Sequence, residues 1–270
     1  MIKQKATKIL KYLFLFTASF LTIFPLLWML ISATNMSVDV LAGVLVPGNY
    51  LLENLKSLLD RTNIMQALWN SFRNASVATI ASLIVCSIAG YGFEIYHDKG
   101  KDLLMNILLL SMMVPFAAIM IPLFMMVGRA NLLNTTTAFV LPTVSTAFLI
   151  FLFRQSTRSF PHDVIEAARL EGLGELAIFF RMYIPIMRST YAAAAVITFM
   201  NAWNNYLWPL IIMQKAESKT MPLLISDLIA GYVTDYGALM LAVTISILPT
   251  VIVFLLLQKN FAEGILSSLK

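Results

Sequence analysis

The sequence predicts an all-α integral membrane protein with six transmembrane helices, and three observations carry that prediction. Of its 270 residues, 59% are apolar and only 12% are charged, about half the charged share of an average soluble domain. Its 19 basic and 14 acidic side chains cannot clothe a soluble fold of this length. Uncharged runs also recur at the length that crosses a bilayer, about 20 residues, which is too long for a barrel strand. An ordinary cytosolic enzyme, a disordered chain and a small secreted domain are thereby excluded. The lone Cys86 makes no internal disulfide, and His97 and His162 lie far apart, so no metal site is expected. The net charge of +5 comes from basic residues interspersed between apolar runs, which fits loop charges better than a nucleic-acid partner.

The first run, 12–33, follows four lysines. It exceeds the hydrophobic region of a signal peptide and no A-x-A site follows, so it reads as an uncleaved span. Residues 34–74 form the first large connection, with a loop at 40–52 around Gly43, Pro47 and Gly48 and room for short amphipathic helices. The second run is 75–93; its Ser82, Cys86 and Ser87 read as packing residues. The third and fourth, 103–127 and 130–153, carry Pro115, Pro122 and Pro142, each a predicted kink because proline removes an intrahelical bond. The fifth is 189–214 and the sixth 236–258, the latter with Pro249. Residues 1–270 thus read as a single transmembrane domain.

Six crossings put both termini on one face of the membrane. Lys56, Arg61, Arg73, Arg129, Lys215 and Lys219 fall on the other face, leaving thirteen of the 19 basic residues on the side of the termini. The positive-inside rule makes that side the cytoplasm.

The second large connection, 154–188, is then cytoplasmic and has its own helical pattern. Pro161 suits a first helical position, Asp163 and Glu166 favour the opening turns, and Gly172 and Gly174 stop the helix. A second stretch, 175–183, is expected to end before Pro185. The outcome is a short helix–turn–helix between spans four and five, whose mixture of Val164, Ile165, Ala168 and Leu170 with Glu166, Arg169 and Glu171 suits docking into a groove. Taken by themselves, Glu166 and Arg169 equally describe a solvated helix face.

In span five, Asn201, Trp203, Asn204, Asn205 and Trp208 interrupt an apolar run. Polar groups in lipid usually face the bundle interior. Helical spacing sets Asn201, Asn204, Asn205 and Trp208 on one flank, which would line a path through the bundle. Interfacial anchoring by Trp208 and helix–helix bonding by the asparagines are the alternatives.

The string Glu166-Ala167-Ala168, three residues, Gly172, nine residues, then Met182-Tyr183-Ile184-Pro185 resembles the EAA loop of binding-protein-dependent ABC importers. Other segments look like the carbohydrate-uptake branch of that family. These are Trp69-Asn70-Ser71, Ala89-Gly90-Tyr91-Gly92, Met113-Val114-Pro115, Ile121-Pro122-Leu123, Leu132-Leu133-Asn134-Thr135 and the segment from Ala202 to Pro209. The likeness covers 66–262, and the chain is similar to the smaller permease subunits for maltose, raffinose, lactose and multiple sugars. The family often has Glu where this chain has Asn205.

The resemblance implies a non-catalytic permease subunit in a bacterial cytoplasmic membrane, one half of a heterodimeric path for a sugar or oligosaccharide. It implies a second homologous permease subunit, a cytoplasmic ATPase dimer that binds ATP and Mg, and an extracytoplasmic sugar-binding protein. No cofactor is expected on this chain, which has no G-x-x-x-x-G-K pattern. The ATPase-coupling residues it implies are Glu166, Ala167, Ala168, Arg169, Gly172 and Gly174. A permease for a non-sugar solute shares this loop and stays open. A self-contained secondary carrier would need ionisable groups inside the spans, and the six runs hold none; Glu94 and Asp235 only flank them.

Overall fold

The computed structural model describes residues 2–231 and 234–267, with side chains from 7 to 258 of these. Every regular element among the described residues is helical. In chain order the helices are α1 (Ile2–Ser32), α2 (Ser37–Leu41), α3 (Leu51–Arg61), α4 (Ile64–Ile95), α5 (Lys99–Ser111), α6 (Phe116–Arg129), α7 (Thr136–Val140) and α8 (Ala147–Thr157). They continue with α9 (His162–Leu170), α10 (Glu175–Ile178), α11 (Ile184–Ile186), α12 (Arg188–Trp203), α13 (Leu207–Ile212), α14 (Met221–Ala230) and α15 (Tyr236–Ser267). The chain divides into two compact units, 1–65 with 223–248, and 66–222 with 249–270.

Among the described residues, three helices are long and apolar enough to cross a membrane: Thr7–Ser32 within α1, Ile64–Ile95, and Tyr236–Gln258 within α15. Two bent pairs, α5 with α6 at 97° and the Thr136–Thr143 segment with α8 at 53°, raise the count to as many as five. The third and fourth runs are therefore broken, where the sequence reading had only kinks. Pro115 is extended at φ −60°, ψ 134° and caps α6, and its ring leaves no N–H to carry α5 onward. Pro142 sits in a 3-10 turn, Leu141–Thr143, after which Thr146 caps α8 by accepting the Leu149 N–H at 3.4 Å. Ahead of α7 the chain is not helical from 131 to 135: Asn131 and Asn134 hold left-handed φ values of 56° and 64°, a region asparagine tolerates best among side-chain-bearing residues.

The fifth run is also broken. α12 has 16 residues and ends at Trp203, and α13 restarts at Leu207 with Pro209 in its first turn. One continuous helix would drive the Pro209 ring into the Asn205 carbonyl and leave that carbonyl without a donor.

In the first unit, the connection after α1 is tied down by side chains. Asn54 Nδ2 donates to the carbonyls of Ala33 and Asn35, both at 2.9 Å. Gly237 lies so close that a Cβ would meet Asn54 Oδ1 at 2.5 Å and Asn35 O at 2.7 Å. Asp235 accepts from Ser57 Oγ at 2.7 Å, Ser37 Oγ at 2.9 Å and the Ala238 amide at 3.2 Å, so one carboxylate joins α2, α3 and the start of α15. Burial pushes this carboxyl up, but those hydrogen bonds and the charge of Arg61 outweigh it and hold it below the usual aspartate value.

In the second unit, α4, α5, α8 and α12 pack around Cys86, Met105, Leu149, Ile150, Phe153 and Ala194. α4 and α8 touch through Gly90, where a Cβ would meet Phe153 Cβ at 2.5 Å and Arg154 N at 2.7 Å. Gly90→Val therefore overpacks the crossing, a fault of about 1–3 kcal/mol. The monodisperse fraction in detergent should fall sharply, while Gly92→Ala, with open space at its Cβ, should match the parent in the same size-exclusion assay.

Candidate functional site

The segment between α8 and α12 folds into a compact knob. Pro161 stands one residue outside α9, as its cap, at φ −65°. On α9 the apolar residues divide: Ile165 and Ala168 are buried, whereas Glu166, Ala167 and Leu170 face outward, Leu170 being 90% exposed. Ile165 and Ala168 join Tyr91, Phe160, Ile178, Phe179, Tyr183 and Met187 in one core, so the knob sits on the end of α4.

The end of α9 is built by two hydrogen bonds. Gly172 N–H donates to Arg169 O and Leu173 N–H to Ala168 O, both at 3.0 Å, and Gly172 holds φ +82°. That is a Schellman cap, closed by Leu173 packing on the core that holds Ala168. Gly174 plays a different part: its φ of −73° is ordinary and it caps α10. Beyond α10, a π-helical turn, Phe179–Tyr183, runs into α11. The expected stop before Pro185 is thus corrected. The wide turn carries the chain past the proline's missing donor, and the helix breaks at Met187 (φ −87°, ψ 16°).

Arg169 is engaged inside the knob. Its Nε donates to Glu175 Oε1 at 2.7 Å, and its guanidinium lies 5.9 Å above the Tyr96 ring. The guanidinium first, then the Tyr96 hydroxyl, holds the Glu175 carboxyl below the usual glutamate value. Glu166 is exposed and has no ion pair among the described residues. Sequence reasoning missed Leu176 and Phe180, which stand 74% and 55% exposed on the second half of the knob. Their outward placement was hidden because a four-residue helix followed by a π turn has no single period to read.

The five residues of the fifth run are not brought to one flank. Asn201 and Asn204 are exposed, but Asn204 caps α12, and Asn205 Oδ1 accepts the Trp208 amide at 3.4 Å across the break. Trp203 is buried and stacks on Phe199 at 5.8 Å between centroids. Trp208 is fully buried, its Nε1 donating to Ala138 O at 2.9 Å. Neither indole offers a face to a solute in this conformation. The shared flank assumed an unbroken helix, and the chain instead breaks between Trp203 and Leu207.

The Arg169–Glu175 pair predicts a pH response. A carboxylate whose value is lowered by folding contributes stability at pH above the unfolded value, and that contribution is lost as pH falls through the folded one. A spin label at Leu176 should gain mobility as pH drops from about 5 to about 3. Glu175→Gln should remove that dependence and leave the label mobile throughout; an unchanged profile in the variant would refute the clamp.

Comparison with known proteins follows the same chain. Residues 88–267 match the family described as binding-protein-dependent transport system inner membrane component. The lactose transport system permease protein LacG of Rhizobium radiobacter is 44% identical over 269 residues, covering 100% of this chain and 98% of that one. The arabinooligosaccharides transport system permease protein AraQ of Bacillus subtilis is 32% identical, covering 94% and 92%. The sn-glycerol-3-phosphate transport system permease protein UgpE of Pectobacterium atrosepticum is 29% identical, covering 99% of both. A crystal structure of a bacterial ABC transporter involved in import of the acidic polysaccharide alginate shares the fold, with a TM-score of 0.82 at 19% identity over 96% of this chain and 98% of that chain. A multi-pass helical chain with apolar spans and matches of this extent belongs to the binding-protein-dependent transport system inner membrane component family, as an importer permease.

Proposed function

We propose that the chain is one of two permease subunits of an ATP-driven importer for a sugar or oligosaccharide, and that the knob on residues 154–188 is its coupling element. The observation that carries this reading is the exposed side of α9 and α10. An unpaired carboxylate, Glu166, stands beside the small Ala167 and the solvent-exposed Leu170 and Leu176. Exposed leucines ringed by polar groups suit a protein interface, and an unpaired carboxylate suits a basic residue opposite. The partner is a cytoplasmic ATPase dimer, which holds the ATP and Mg. The second permease subunit completes the path, and an extracytoplasmic binding protein delivers the solute. A sugar is favoured by relatives named for lactose and arabinooligosaccharides. A polyol phosphate is the second reading, favoured by the relative named for sn-glycerol-3-phosphate.

Six crossings fit this role if each bent pair is one crossing and α12 with α13 forms the sixth, broken one. Asn201 and Asn204 are then the residues of the fifth run free to meet a solute, while Trp203, Asn205 and Trp208 hold the break. Residues 1–270 act as one permease, with 66–262 as its family core. Both termini are cytoplasmic. In a Cys86→Ala background, single cysteines at Leu52 and Ala216 should react with an impermeant maleimide in intact cells, and one at Glu171 should not. The reverse pattern would invert the orientation.

The coupling reading is tested on α9. Losing one member of a desolvated charge pair costs about 2–5 kcal/mol. Glu166→Ala should therefore reduce copurification of the ATPase and solute uptake together. Gly172→Val puts a β-branched residue in a left-handed turn, at about 1–2 kcal/mol, and should misaim the knob with membrane insertion intact. Gly172→Asn should retain transport, because asparagine accepts that conformation and a Cβ there meets nothing within 4 Å. Wild-type ATPase recovery and uptake in both Glu166→Ala and Gly172→Val would reject the coupling role.

A further inference from the structure

Behind the knob lies a charge cluster that neither the coupling reading nor the path reading uses. Arg154, on the last turn of α8, is buried, with its side chain 6% exposed. Its Nε donates to Glu94 Oε2 at 3.2 Å, at the end of α4, and its Nη2 donates to Asp102 Oδ1, in the first turn of α5. Glu94 is 15% exposed and also meets Arg158 Nε at 3.5 Å, while Asp102 also meets His97 Nε2 at 3.0 Å. One guanidinium therefore fastens three helices of the second unit with two separate arms of its fork, a geometry that lysine's point charge cannot reproduce.

The same turn of α8 is fastened to the knob. Thr157, one residue short of a full turn beyond Arg154, shares a buried 2.6 Å hydrogen bond with the Tyr183 hydroxyl. Tyr183 sits in the knob's core, 4.9 Å from the Tyr91 ring and 5.5 Å from Phe160. Gly90, one turn before Glu94, lets α4 lie against the backbone of Arg154 itself. Knob, α4, α5 and α8 thus meet at one turn of one helix, through directional bonds as well as apolar contact: the Thr157–Tyr183 bond is buried, and the Arg154 guanidinium is buried although its Asp102 partner is 45% exposed.

We propose that Arg154 is a positioning residue for transport. It locks α4, α5 and α8 to the knob so that a displacement of the knob moves these helices as one body. The proposal rests on the coupling reading above. It adds which bond carries the motion from the knob into the membrane segments. The Arg154–Glu94 pair, 6% and 15% exposed, need not stabilise the fold to be useful in this way; breaking it is costly because it strands a buried charge, which makes that junction stiff.

The test uses the assembled importer, with its ATPase and binding protein, reconstituted in liposomes. Arg154→Lys and Glu94→Gln should assemble, yet the ATP hydrolysed per solute imported should rise at least about threefold, since a monodentate or neutral contact no longer holds both arms. A role in folding alone would lower the amount of complex and leave the ratio of what assembles unchanged, and that result overturns the proposal. Spin labels at Leu176 on the knob and Leu104 on α5, in an otherwise wild-type importer, give an independent measure. Their separation should be the same in nucleotide-free and nucleotide-trapped states. A change as large as one helical turn, about 5 Å, would overturn the proposal even where the point variants fail to assemble. If Glu166→Ala keeps its ATPase and its uptake, the coupling reading falls and takes this proposal with it. If Glu166→Ala behaves as expected and the Arg154 variants keep the wild-type ratio, this proposal alone fails.

Discussion

A carbonyl released inside a bilayer has no water to bond, and this chain releases several by breaking three apolar runs near Pro115, Pro142 and Pro209. Much of the second unit is arranged around that constraint. Where Pro142 interrupts the fourth run, Ser82 Oγ of α4 donates to Thr143 O at 3.0 Å, and Cys86 Sγ approaches Val144 O at 3.6 Å. Where Pro209 interrupts the fifth, Asn205 supplies the acceptor for the Trp208 amide, and the Trp208 indole supplies a donor for Ala138 O. Asn134 closes the same region from the other side: its amide donates to Ile212 O at 2.9 Å and its side chain accepts from Lys215 N at 2.8 Å. Neighbouring polar side chains make breaks of this kind affordable in lipid, and here the breaks at Pro142 and Pro209 bind their helices to others.

The knob solves a different problem. In the proposed coupling role it presents a carboxylate and leucines outward while standing on the membrane helices. The Schellman turn at Gly172 sets the angle between α9 and α10, the Arg169–Glu175 pair spans that turn, and the aromatic cluster of Tyr91, Phe179 and Tyr183 anchors it. Ring centroids there lie 5.3 Å apart for Tyr91–Phe179 and for Phe179–Tyr183, within the range where aromatic pairs attract beyond their area. Arg154 sits beneath this cluster. The outward side of the knob is thus free of internal obligations, and its inward side is fully committed.

The loop was legible because its signals are local. Pro161 at the start, acidic residues in the first turns and Gly172 at the end each act within a few residues, and their combination marks a short capped helix wherever it stands. The bond from Arg169 to Glu175 was not legible, because a helical wheel shows only which direction a side chain leaves, not that Glu175 across the turn will take it. The second to fifth runs were legible as apolar and not as shapes. The helix of the second starts at Ile64, eleven residues before its uncharged run, since Arg73 and the amides ahead of it are compatible with helix although not with a hydropathy window.

Sequence alone determined the class of this protein, a helical membrane chain with a capped loop of recognisable pattern, because hydropathy, proline and glycine act through the chain's own backbone. It also marked where the breaks could fall, since proline's missing donor is a property of one residue. Tertiary structure alone decided what became of the polar and aromatic residues near those breaks. Asn205, Trp208, Ser82 and Cys86 are bonded to backbone groups that the breaks set free, and Trp203 is buried against Phe199. It also decided that Arg154, one of several basic residues in a loop as far as composition could tell, is buried between two carboxylates. The physical reason is that satisfying a desolvated charge or carbonyl takes a partner from a distant part of the chain, and no local pattern records which one arrives.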